Sequence, residues 1–284
     1  MKKLFIFICM FVYVQFFAQD IYTEQDSVVC KNKFEIMSKD DLSQLPIGMV
    51  IAAVGKSFIG TPYVPNTLEQ GDVEKLVINL TGLDCTTFLE TTFTLSRCIK
   101  KNKTTFENYK NELKFIRYRD GILDGYPSRL HYTSDWIINN QKKGIVKNVS
   151  QEIGGVVYNK QVFFMSKNAD KYQILKANPQ FVPQILDFEN EINEVTKYYI
   201  PKDKIASVEE KINTGDFIGL TTTIEGMDVS HVGIAIKQTD GHIYFLHAPN
   251  IGKKVQLTTI TLSEYVANLS KNTGIIVFRP EEIK

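Results

Sequence analysis

The 284-residue chain lacks charge imbalance: 33 lysines and arginines stand against 32 aspartates and glutamates. This excludes the basic footprint that nucleic-acid binding requires. Cysteine, histidine and tryptophan are scarce, at four, four and one. No glycine-rich phosphate loop and no paired zinc-type cysteine spacing occurs, which argues against nucleotide cradles and a structural zinc site. Past the N-terminal leader no apolar run approaches membrane-spanning length. Internal repeats and low-complexity linkers are also missing.

What is present begins with Met1-Lys2-Lys3 and the apolar run Leu4 to Phe17, ending at Ala18-Gln19-Asp20. This basic start and short apolar core read as a secretory signal peptide, residues 1–18, so the protein is expected to be exported and free of the membrane once the leader is cleaved. Losing Lys2 and Lys3 moves the formal charge from +1 to the acidic side of zero, which still suggests no nucleic acid. With 43% hydrophobic residues, the remainder can bury one large core. Residues 19–45 read as a polar arm, 46–284 as one domain, and about 101–211 as a helix-leaning insertion within it. Oligomeric state has no sequence signal.

Cys9 leaves with the leader, and Cys30, Cys85 and Cys98 remain. An odd count in an oxidising compartment leaves at least one thiol free or paired between chains. Cys85 is the one with chemical promise. Gly82 and Asp84 punctuate a loop, Asp84 is a good helix N-cap, and Phe88, Leu89, Leu95 and Ile99 recur at roughly helical spacing, predicting a helix from Cys85 to Lys100. Unpaired N–H groups and the positive dipole end at a helix start favour thiolate over thiol. The competing reading is a small buried hydrophobe.

A second stretch favours chemistry. Val229 to Ile236 and His242 to His247 are β-rich runs flanking Asp240-Gly241, which reads as a hairpin with a histidine on each strand, His231 and His247. Cysteine at a helix start with a histidine on a later strand is a thiol-hydrolase arrangement. Register decides whether it works. A two-residue turn would put the histidines on opposite faces, whereas a three-residue loop with Gly241 left-handed pairs Gln238 with His242, sets His247 opposite Gly233 and makes His231 its diagonal neighbour. A metal site from His231, His242 and His247 is a lesser alternative.

Elsewhere, Ile47 to Phe58 predicts a helix, and Gly60-Thr61-Pro62-Tyr63-Val64-Pro65 predicts an extended segment that sets Tyr63 either over a cleft or simply packed. Helical periodicity recurs near 104–118, 133–143 and 179–195. Strands are expected at 217–222, 231–237, 242–247, 255–260 and 274–278, with a helix near 262–269, giving an antiparallel sheet and an α+β class. Asp124 to Trp136 is dense in polar aromatics. It suits a sugar or peptide groove, or else a loop entering a helix capped by Thr133 or Ser134 with Trp136 buried.

Gly60-Thr61-Pro62-Tyr63, Leu83-Asp84-Cys85 and Ser230-His231-Val232-Gly233-Ile234 through His247-Ala248-Pro249 resemble, in order, the motifs of NlpC-type papain-like cell-wall hydrolases. The Asp-Cys-Thr-Thr-Phe start, the stretch from Arg129 to Trp136 and Gly226 to His231 resemble the N-acetylmuramoyl-L-alanine amidase-like branch, over most of residues 45–280. One departure is Thr86-Thr87, where the commoner motif has Ser-Gly. The resemblance implies a papain-like domain with its nucleophile on a helix N-terminus. Cys85 would be nucleophile, His231 base and His247 the orienting group, roles that the residues' own chemistry also allows. It further implies muropeptides as substrate, with Tyr63, Asp84, Arg129, His131, Tyr132, Trp136, Asp228 and Ser230 around them, and neither cofactor nor metal. A γ-D-glutamyl-diamino-acid endopeptidase and a silent muropeptide-binding module are the alternatives.

Overall fold

A computed structural model describes residues 20–38 and 41–283; the leader expected at 1–18 lies outside them. Ten helices are described: α1 Glu24–Ser38, α2 Ile47–Lys56, α3 Cys85–Lys100, α4 Phe106–Arg117, α5 Thr133–Lys142, α6 Phe164–Lys167, α7 Gln173–Ala177, α8 Val182–Glu194, α9 Ile205–Val208 and α10 Leu262–Ala267. The strands are β1 Val146–Asn148, β2 Val156–Val157, β3 Tyr198–Pro201, β4 Phe217–Thr222, β5 Val229–Lys237, β6 Ile243–His247, β7 Gln256–Leu257 and β8 Asn272–Pro280. They form one sheet in the order β2-β3-β8-β4-β5-β6-β7, with β1 also on β8. Every strand pair is antiparallel. The class is mixed α+β.

The central strands β4, β5 and β8 are buried on both faces because their side chains alternate between two cores. Phe217, Val232, Ile234, Leu246 and Phe278 face one way, packing with α2 and α3. Ile218, Leu220, Ala235, Phe245 and Val277 face the other, where Ile205 of α9 and Leu262 and Val266 of α10 cover them. The insertion adds a third cluster around Tyr126, Tyr132, Met165 and Ile185.

Helix α3 starts where the sequence places it. Asp84 accepts from the Thr87 N–H at 2.8 Å while the Thr87 hydroxyl accepts from the Asp84 N–H at 2.9 Å, closing a reciprocal cap. From Thr87 to Ile99 the helix is buried all round, with the sheet on one side and α1, α2 and α4 on others. Its buried Glu90 pairs with Arg117 of α4 at 2.7 Å and accepts from Trp136 Nε1 at 3.2 Å. Cys85 therefore stands on the most firmly held helix of the fold.

Three expectations are corrected. The stretch read as an arm contains α1, whose Cys30, Phe34 and Met37 are buried against the core and whose Asp26 accepts from the Leu80 N–H at 2.7 Å. Its apolar positions are too few among polar ones to register as periodic. The insertion is not wholly helical, since β1, β2 and β3 join the sheet. Runs as short as Val156–Val157 cannot display alternation. The strand expected over 255–260 shrinks to Gln256–Leu257. Among the described residues no helix is long and apolar enough to cross a membrane.

Candidate active site

The hairpin takes the three-residue loop. Gln238 donates to His242 O at 2.9 Å, Gly241 donates to Gln238 O at 3.0 Å, and Gly241 has φ 85°. His247 consequently pairs with Gly233, and His231, its diagonal neighbour, reaches across: His231 Nε2 and His247 Nδ1 are 2.8 Å apart. Gly233 permits this geometry. A side chain there would meet the Phe245 ring at 2.6 Å, and that ring lies against both imidazoles, 4.6 Å from His247 and 5.9 Å from His231 between centroids.

A bulge aims the first histidine. Leu220 pairs with His231 but Thr221 pairs with Val229, so Ser230 is the extra residue, and extra residues of this kind bend a strand and re-aim its neighbours. Ala235 N–H bonds back to Asp216 on the β4 side; by alternation the Val232 N–H points to the opposite side, just beyond the last β6 partner. On that side lies Cys85, whose thiolate form the Val232 and Thr86 N–H groups favour.

Cys85, His231 and the Val232 backbone line one open cavity of about 260 Å³. Cys85 is half-buried, and its other polar neighbour is the Thr86 hydroxyl at 4.0 Å. Burial pushes its thiol up to about 11, with the charge of Asp84 adding to the rise and the Val232 and Thr86 N–H groups opposing it. Desolvation therefore outweighs the helix-start effect expected from sequence. Burial also pushes His231 down to about 4, and His247, which feels His231 as well, down to about 3. At neutral pH the resting site holds a thiol and two neutral imidazoles. His247 Nε2 is enclosed and lacks a hydrogen-bond partner.

The other expected residues divide. Tyr63 is beside the thiol: it bridges to Leu83, and burial together with Cys85 and Asp84 raises its phenol. His131, Tyr132, Arg129, Asp84, Asp228 and Ser230 all line the cavity, yet several have their polar atoms committed elsewhere. Asp84 caps α3. Asp228, 1% exposed, accepts from the Ser134 N–H at 2.6 Å and its neighbour Val229 N–H at 2.7 Å, so it caps α5 from across the fold, and neither Thr133 nor Ser134 does so. Tyr132 donates its hydroxyl to Glu189 at 2.7 Å and accepts from the Met165 N–H at 2.7 Å. His131 packs on Tyr126 with the rings tilted by 43° and Nε2 2.9 Å from Tyr126 O, and burial holds it well below the usual range, hence neutral.

Arg129 is corrected as a free carboxylate clamp. Its guanidinium is 5% exposed and pairs with Glu69 and, at 3.3 Å, with Glu74. Two carboxylates already answer its charge. Trp136 is corrected as a residue around the substrate and takes the buried alternative, being 4% exposed with its ring among Phe93, Phe217 and Phe278. We expect Trp136→Ala to lower stability by about 3–5 kcal/mol and any activity loss to track unfolding, as a denaturation curve beside the rate will show. His242 stands at the far end of the hairpin on Glu209, 2.9 Å away. Glu69, Tyr172, Phe164 and Met165 line the cavity unforeseen. They come from loops and the insertion, where no local pattern marks a wall, and a backbone donor such as Val232 N–H has no side-chain signature.

The structure thus brings a thiol and a hydrogen-bonded histidine pair together on an antiparallel α+β scaffold. Against known proteins, residues 53–275 match the AmiA-like family model, described as N-acetylmuramoyl-L-alanine amidase-like. The chain belongs to that family. A crystal structure of an N-acetylmuramoyl-L-alanine amidase from Bacteroides uniformis is 33% identical with a TM-score of 0.78, over 83% of this chain and 99% of that one. A Bacteroides fragilis structure with a provisional xylanase designation is 37% identical with a TM-score of 0.74, over 80% and 99%. A Legionella pneumophila protein, 20% identical with a TM-score of 0.66 over 90% and 95%, shares the fold. Curated proteins give no match.

Proposed function

We propose that this protein is an exported cell-wall amidase with an NlpC-type papain-like site, hydrolysing the amide between N-acetylmuramic acid and L-alanine in peptidoglycan fragments. The 2.8 Å contact between His231, which lines the same cavity as Cys85, and the enclosed His247 behind it carries the reading. Since His231 Nε2 is engaged with His247, Nδ1 is the nitrogen left to serve Cys85. For Nδ1 to accept a proton, Nε2–H must donate to His247 Nδ1, which puts the His247 proton on Nε2. In the reaction His231 Nδ1 takes the thiol proton as sulfur attacks the carbonyl carbon, and backbone N–H groups at the start of α3 suit the developing oxyanion. His231 then returns the proton to the departing amine. A thioester remains, and water attacks it with His231 again as base, releasing the acid and the thiol.

A glycosidase reading of the fold finds less support. Such chemistry calls for two free carboxyl groups flanking the bond, whereas Glu69, Asp84 and Asp228 are held by Arg129, the α3 cap and the α5 cap. The bond cleaved is settled by mass spectrometry of a digested disaccharide tripeptide. Free disaccharide and an intact stem peptide beginning with L-alanine are expected; a released L-alanyl-D-glutamate dipeptide would make the protein an endopeptidase on the same machinery.

His247 is assigned to hold the His231 tautomer and stabilise the imidazolium. His247→Gln, which can still meet His231 Nε2, should therefore keep more of kcat than His247→Ala. Steady-state rates that are milder for His231→Gln than for His247→Gln would reverse the two roles, and His242→Ala should leave kcat unchanged.

A further inference from the structure

A recess of about 30 Å³ leads off the main cavity beside the nucleophile. Its mouth is common to both spaces and is made by Thr86, Leu130, His131, Tyr132, Thr133 and Val232; its inner end is made by Leu89, Trp136 and Phe278, which the main cavity does not touch. These inner residues are 3%, 4% and 1% exposed. Glu90 also borders it, but its two oxygens are occupied by Trp136 Nε1 and Arg117. The volume admits one water-sized group. The polar groups of Thr86, Thr133, His131 and Tyr132 all lie at the mouth, whereas the inner end offers a water no free partner, so an apolar occupant of methyl size fits there better.

Position tells which part of a substrate reaches it. Thr86, the neighbour of Cys85, lines both spaces, while His231 lines only the main cavity. The leaving amine must lie against His231, which protonates it. The substituent on the acyl side is thereby turned toward Thr86 and the recess. We propose that this recess is a specificity pocket for a methyl branch on the carbon next to the scissile carbonyl, the branch that a lactyl group carries. The proposal rests on the amidase reading and sharpens it, because the γ-glutamyl acyl group of the endopeptidase alternative has an unbranched methylene there.

The test compares substrates in which only that branch changes. Three disaccharide–L-alanyl peptides are needed, with the lactyl ether as such, with its methyl replaced by hydrogen, and with its methyl replaced by ethyl. A methyl in a fitted apolar pocket changes kcat/KM by about 10–200-fold, so the hydrogen analogue should fall at least tenfold below the lactyl substrate, and the ethyl analogue should fall too. Leu89→Val, which deepens the inner end by about one methylene, should raise the ethyl analogue relative to the lactyl substrate; thermal unfolding reports its integrity. Replacing L-alanine by glycine on the leaving side should have the smaller effect. Hydrogen and lactyl substrates cleaved within twofold of each other by the unmodified protein would overturn the pocket while leaving the amidase reading intact. An effect confined to the glycine substitution would overturn its acyl-side placement. No cleavage of the lactyl substrate would overturn the amidase reading and the pocket together.

Discussion

Cys85→Ala is expected to leave the fold in place and reduce amide hydrolysis by roughly four orders of magnitude or more, the scale seen when a nucleophile is removed from a unit that acts together. Alanine suits the first position of a helix, and the cap of α3 is made by Asp84 and Thr87, so the substitution removes the sulfur without loosening what holds it. Cys30 and Cys98, 0% and 1% exposed, should be dispensable for chemistry. Iodoacetamide should reach Cys85 first, since burial pushes the Cys30 thiol up to about 12 and that of Cys98 higher still. With Cys85 itself raised to about 11, the labelling rate should climb steadily with pH above neutrality. A flat, fast rate at pH 6 would mean a preformed thiolate in place of proton transfer during attack. Full turnover by the alanine variant would end the thiol-hydrolase reading.

The second large effect is acid sensitivity. Histidines in an unfolded chain take up protons near 6.5, but His231 and His247 resist protonation down to about 4 and about 3 in the fold, through burial, and His131 is held well below the ordinary value for the same reason. Across that window the unfolded chain binds more protons than the folded one. Stability therefore rises with pH between about 4 and about 6.5 and is lost as pH falls through it. Protonation of His231 also removes the base, so kcat/KM should decline toward about pH 4. Thermal unfolding from pH 7 down to 4, with initial rates measured below each transition, checks both. A melting temperature indifferent to pH over this range would contradict neutral, enclosed imidazoles.

Much of the region around Cys85 and the histidine hairpin was legible because its signals are local. Asp84 and the apolar spacing from Phe88 to Ile99 mark α3 to the residue, and β4 runs over Phe217–Thr222 as read. The loop register at Asp240-Gly241 follows from parity and from the left-handed preference of glycine. What could not be read depends on tertiary context. Whether Arg129 is free depends on Glu69 and Glu74, and nothing in the sequence near Arg129 announces them. Trp136 and Arg129 looked like ligand contacts because polar aromatics and cations are ambiguous between a groove and a buried network. The thiol of Cys85 was expected to be acidic from its helix position, but desolvation is set by the packing around it and is invisible to local sequence.

One carboxylate, that of Asp228, has a wider role than capping. It bonds the Ser134 N–H at the start of α5 and the Val229 N–H at the start of β5, and these elements carry Tyr132 and Thr133 on one wall of the cavity and Ser230 and His231 on another. The two walls are thereby riveted at a single buried point. Moving one wall away from the other would therefore have to stretch a hydrogen bond to this carboxylate.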